Sequence, residues 1–97
     1  MAAMELVNYQ LNDGVDPDAF LAICRQVGNE FTSAQPGFIE REIGRNDDGT
    51  WLIAVHWNAA IDAHNSISNI DTIPDVVKTY MGMINRDTLK RWVFDIV

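Results

Sequence analysis

Residues 38–57 read FIEREIGRNDDGTWLIAVHW: two runs of strand-forming residues on either side of a polar tetrapeptide. In Asn46–Asp47–Asp48–Gly49, Asp48 and Gly49 favour a tight hairpin, because a short polar residue and a glycine accept the backbone angles that such a turn demands. The two runs are therefore an antiparallel pair. A strand points alternate side chains to opposite faces. In the second run Trp51, Ile53, Val55 and Trp57 share one face, while Leu52, Ala54, His56 and Asn58 share the other. Neither face is fully polar, which predicts a sheet covered on both sides.

Outward from the hairpin, both flanks repeat one pattern. Residues 4–12 (MELVNYQLN) alternate Val7, Tyr9 and Leu11 with Leu6, Asn8 and Gln10, the period of a strand. Asp16 is placed to cap a helix, Pro17 suits its first position, and Asp18 faces the positive end of its dipole. Phe20, Ile23, Cys24, Val27 and Phe31 then recur at steps of three and four, an apolar helical stripe that must be buried. Pro36 and Gly37 end it. Beyond the hairpin Ala60, Ala63, Ile67 and Ile70 begin a second helix. NIDTIPDVV interrupts it, with Pro74 forcing a kink or restart before Val76, Val77, Tyr80, Met81 and Ile84. A turn at Asn85–Arg86–Asp87 and a strand TLKRWVFDIV, with Trp92, Phe94 and Ile96 on one side, close the chain.

The order βαββαβ with a central hairpin predicts an α+β, ferredoxin-like fold: an antiparallel four-stranded sheet with two helices on one face. Two helices leave one apolar sheet face bare, and a second copy of the chain would cover it with twofold symmetry. The expected partner is thus the chain itself, a homodimer whose sheets meet face to face or close into a barrel.

Composition narrows the function classes. The 97 residues are 47% hydrophobic and show no shift that marks a linker, so residues 1–97 are expected to form one domain. Fourteen acidic against seven basic residues give a formal charge of −7, which repels phosphate backbones and argues against nucleic acid. No window approaches the apolar length of a membrane helix, and the start MAAMELV lacks a basic segment followed by a long apolar run; the expectation is a cytoplasmic protein without a membrane partner. The single cysteine, Cys24, reads as a small buried apolar residue in a reducing compartment.

Four segments, LNDGVDPDAFLAI, QPGFIEREIGRNDDGTWLIAVHW, DAHNS and MINRDTLKRWVF, resemble in order and spacing the antibiotic biosynthesis monooxygenase-like group of the dimeric α+β barrel superfamily. The most specific pieces are Pro36, Gly37 and Phe38 before the second strand, and Trp57 with Asp62 and Ala63 beyond the third. The resemblance implies a range of roles, including cofactor-independent oxygenation of electron-rich aromatic substrates, haem degradation and isomerisation. In the haem-degrading branch the strand asparagine falls here on Val7 and the helix tryptophan near Ser66, and no histidine follows. Haem is accordingly the last of the readings, and no cofactor is expected.

Two histidines are the candidate proton-handling groups, with Asn8. His64, between Asp62 and Asn65, faces either a cavity or solvent; His56 points toward a partner subunit if Trp57 points at the helices. Spaced eight apart across a strand and a helix, they meet no metal-ligand pattern, so no metal is expected. Tyr9, Trp57 and Tyr80 converge on one space if the odd positions of the first strand face the helices. They either line an apolar pocket for a planar organic ligand or fill the core. Two functions stay open: a cofactor-independent monooxygenase of a small aromatic or quinol-type substrate, with Asn8, His56 or His64 handling the proton, and a non-catalytic ligand-binding or interaction module.

Overall fold

The computed structural model describes residues 1–68 and 74–97; Ile70 and most of the expected interruption lie outside the described residues. Strands β1 (Ala3–Leu11), β2 (Phe38–Arg45), β3 (Trp51–Trp57) and β4 (Ile84–Asp95) form one antiparallel sheet in the order β2-β3-β1-β4. Helices α1 (Pro17–Glu30), α2 (Ala60–Ser68) and α3 (Asp75–Met83) cover one face of it. This is the expected ferredoxin-like α+β fold. Of the kink or restart expected at Pro74 it is the restart that occurs, with Pro74 at the start of α3.

The local signals act as their chemistry dictates. Asp16 accepts a hydrogen bond from the Ala19 amide at 3.0 Å, capping α1 one residue before Pro17 opens it. In the hairpin Gly49 adopts φ 87°, and the Thr50 amide donates to both Asn46 Oδ1 (3.0 Å) and Asp48 Oδ1 (2.9 Å). The bonds from Thr50 hold the exposed Asp48 carboxyl below its ordinary pKa. Gly37, at φ 84°, has its α-carbon against the start of α2, where a side chain would overlap the Asp62 carboxylate.

The end of the chain differs from the expectation. Asn85–Asp87 are not a turn ahead of the last strand but part of β4. The turn chemistry is present all the same: the Asp87 amide donates to Asn85 Oδ1 and Thr88 Oγ1 donates to the Asn85 carbonyl. It appears as a bulge, in which the step from Asn8 to Gln10 on β1 corresponds to the longer step from Lys90 to Asn85 on β4. Thr88 Oγ1 then receives the Gln10 amide, satisfying a group the bulge would leave unpaired.

The sheet's two faces are unequal. Toward the helices lie Tyr9, Trp51, Ile53, Val55 and Trp57, which pack with Phe20, Cys24 and Ala63 into the core. The opposite face carries Met4, Leu6, Asn8, Leu52, Ala54, His56, Trp92 and Phe94, with Leu52, Trp92 and Phe94 all at least 40% exposed. Among the described residues no helix is long and apolar enough to cross a membrane.

Candidate functional site

Between the sheet and the helices lies a cavity of about 270 Å³. Its floor is Val7, Ile53 and Val55 from β1 and β3; its far wall is built by Val27 of α1 and Phe31 capping its end, Ile67 of α2, and Val77 and Met81 of α3. Floor and wall are apolar because the two periodicities, two in the strands and 3.6 in the helices, turn the same residue types toward one another. Besides Thr32, Gln35 and Ser66 on the lining, polar groups form two clusters.

The first is a hydroxyl pair. Tyr9 and Tyr80 share a hydrogen bond of 2.7 Å between their oxygens, and Phe20 stacks on Tyr80 and meets Tyr9 edge-on. Burial pushes the Tyr80 hydroxyl up to about 12, partly offset by its bond to Tyr9 and by the nearby Arg41. Burial raises Tyr9 further still, with the Tyr80 hydroxyl adding to the effect. Both groups are consequently neutral hydrogen-bond donors at ordinary pH, and neither is a base. Arg41 reaches them from β2 by crossing Gly28 of α1, where a Cβ would stand 2.6 Å from Arg41 Nη1. Its Nη1 donates to the Cys24 carbonyl at 2.7 Å and its Nη2 lies 3.5 Å from Cys24 Sγ.

The second is a buried ion pair. Glu5 is 6% exposed, and its Oε2 accepts from Arg91 Nε at 2.6 Å while its Oε1 accepts from the Trp57 indole Nε1 at 3.1 Å. Arg91 Nη2 also donates to the Ala63 carbonyl at 3.2 Å, tying β4 to α2. A carboxylate removed from water needs such partners, and here each oxygen has one. Among the described residues Glu5 is the one carboxylate that lines the cavity.

Tyr9, Trp57 and Tyr80, anticipated from the sequence, all line this space. Asn8, His56 and His64 do not. Asn8 and His56 stand on the opposite face of the sheet, opposite Leu52 and Met4 respectively, because the strand period that turns Tyr9 and Trp57 inward turns their neighbours outward. His64 is exposed on α2, whose buried face is served by Ala63. Within this cavity the three have no geometric support as proton-handling groups. Glu5 and Arg91 were missed, although the parity of Glu5 with Val7 and Tyr9, and of Arg91 with Leu89 and Val93, marks both as charges on inward-facing positions.

On the outer face, donor atoms of Glu40, Glu42 and His56 lie within 4.8 Å of one another. Both glutamates are exposed, and His56 Nε2 is 3.7 Å from Glu40 Oε1. Such a group is ordinary solvated surface unless something further points to a metal.

No protein-family profile matches the chain, and no curated protein matches it by sequence. Solved structures do. SnoaB, a cofactor-independent oxygenase from Streptomyces nogalater, superposes with a TM-score of 0.76 at 13% identity, covering 99% of this chain and 93% of its own. An antibiotic biosynthesis monooxygenase superposes with a TM-score of 0.73 at 11% identity, covering 98% of each chain. A conserved protein from Methanosarcina mazei Go1 gives 0.75 at 11% identity, covering 100% and 94%. The chain therefore has the fold of the antibiotic biosynthesis monooxygenases over its whole length, as the segments around Pro36–Phe38 and Trp57 predicted.

Proposed function

We propose that the chain binds a small planar aromatic compound in the cavity between sheet and helices and oxygenates electron-rich phenols or quinols there without a cofactor. The cavity itself carries this reading: an apolar slot of about 270 Å³ with hydroxyl, indole and carboxylate groups at discrete points suits a ligand of one or two fused rings. The fold shared with a cofactor-independent oxygenase adds to it.

In such a reaction the substrate supplies the electrons. A phenol gives up its hydroxyl proton, the electron-rich ring reduces O2, and a peroxide forms at the ring carbon para to the oxygen. Loss of water from that peroxide, with the ring hydrogen leaving as a proton, yields the quinone, so that phenol plus O2 becomes quinone plus water. The chain's part is to bind, orient and exclude water. Tyr9 and Tyr80 are kept protonated by burial, and since one hydroxyl proton is used in their shared bond, the other is the one that donates a hydrogen bond to an oxygen that is gaining negative charge. Glu5 is the cavity's candidate proton acceptor, and Trp57 walls the ring.

A second reading, a non-catalytic ligand-binding module, is favoured by one observation: neither histidine reaches the cavity. Oxygen uptake with a panel of naphthols and quinols, with no cofactor added, separates the two. Turnover that falls in Trp57→Ala and Tyr80→Phe but holds in His64→Ala supports the enzyme. Binding without uptake supports the module.

The same proposal includes a homodimer. Leu52, Trp92 and Phe94 form an exposed apolar patch on the helix-free face, and a second copy is the occupant that the twofold arrangement of such sheets admits. The buried lone thiol of Cys24 fits a reducing, cytoplasmic setting.

A further inference from the structure

The cavity's two guanidinium groups are not equivalent. Arg91 is matched by Glu5. Arg41 has no carboxylate within ion-pair distance among the described residues; the partners it has are neutral, a helix carbonyl, more weakly a thiol, and the Tyr80 hydroxyl. Yet it is half-buried on the wall of an apolar space, beside a buried phenol. A guanidinium drawn out of water without a counter-anion is costly, and the chain invests in holding it there: α1 carries Gly28 where any side chain would displace Arg41.

We propose that Arg41 is the anchor for an acidic group of the ligand, so that the cavity selects aromatic acids, such as hydroxyaryl carboxylates, over their neutral analogues. The inference rests on the reading that the cavity takes an aromatic ligand, and it adds the ligand's charge. Geometry supports it in three ways. A planar fork with free N–H groups matches a carboxylate bidentately. The neighbouring Tyr80 hydroxyl is a further donor for the same oxygens when Tyr9 supplies the proton of their shared bond. Arg41 pairs in register with Val55, and Arg91 with Val7, so the two cations stand at opposite edges of the sheet, about 16 Å apart at the backbone across three strand spacings and a two-residue offset. A ligand on the Val7–Ile53–Val55 floor thus meets the unmatched cation at one end and the Glu5–Arg91 pair at the other. The molecule as a whole, at −7, attracts no anion, so the selectivity is local to this wall.

The test is anaerobic calorimetric titration with 1-hydroxy-2-naphthoate and its methyl ester, which share ring and hydroxyl and differ in charge. The wild-type chain is expected to bind the acid roughly 10- to 100-fold more tightly than the ester. Arg41→Gln is expected to erase that gap by weakening the acid alone. Arg41→Lys, which keeps the charge without the fork, is expected to narrow it and serves if the glutamine variant does not fold. An ester bound as tightly as the acid by the wild type overturns the inference while leaving an aromatic pocket in place, as does a full gap in either folded variant. Binding of neither compound overturns the inference together with the reading beneath it.

Discussion

At the scale of single residues, the chemistry of the site is concentrated in side chains whose orientation follows from strand parity. Odd positions of β1 face the helices, so Glu5 stands with Val7 and Tyr9 while Asn8 faces away. Parity was legible in the sequence. What was not legible was which charge would tolerate burial, since that depends on Arg91 arriving from the other end of the chain, 86 residues away. Removing one member of a buried pair exposes the other's cost, so Glu5→Ala is expected to lower stability by about 3 kcal/mol, read from the urea midpoint. Gly28→Ala would ordinarily strengthen a helix by about 1 kcal/mol. Here the methyl meets Arg41, so the acid-over-ester preference is expected to shrink while the helix content by circular dichroism is kept. The tyrosine pair gives a pH dependence of known sign. Burial raises both hydroxyls in the folded state, so their neutral forms stabilise it fully below pH 10 and that contribution is lost as pH rises toward the folded values. Unfolding free energy is expected to fall between pH 10 and 12, less steeply in Tyr80→Phe; an equal slope in the variant would exclude the pair as its source.

At the scale of elements, caps and turns acted locally and could be read locally. The hairpin at Asp48–Gly49 and the cap at Asp16 formed where short-range hydrogen bonding dictates. Asp16→Ala is expected to cost about 1 kcal/mol, measured by thermal or urea unfolding. The discrepancy at Asn85–Asp87 has a long-range cause. Its side chains favour a turn, but β1 offers an edge on which the chain can keep pairing, so the turn survives only as a bulge. The second helix shows the reverse case, in which Pro74 overrides an apolar stripe that would otherwise run on into α3. That break lets α2 and α3 each contribute a wall, Ile67 from one and Val77, Tyr80 and Met81 from the other.

At the scale of the whole molecule, the sheet divides two tasks between its faces. The helix-side face builds the cavity; the other exposes Leu52, Trp92 and Phe94, the surface on which the proposed homodimer would form. Sedimentation velocity at micromolar concentration is expected to show a species of twice the 10.9 kDa chain mass for the wild type, and a folded monomer for a Trp92→Asp, Phe94→Asp variant. The histidines drew notice because both fall within a short stretch, yet that stretch crosses from a strand to a helix, and proximity along the chain did not bring them to one space. The central claim is that ligands enter on the helix side. It is tested most directly by nuclear magnetic resonance of the labelled protein titrated anaerobically with 1-naphthol. The Trp57 indole N–H signal is expected to shift while the Trp92 indole and the His56 and His64 imidazoles stay in place. A silent Trp57, or shifts confined to Trp92 and His56, would contradict it.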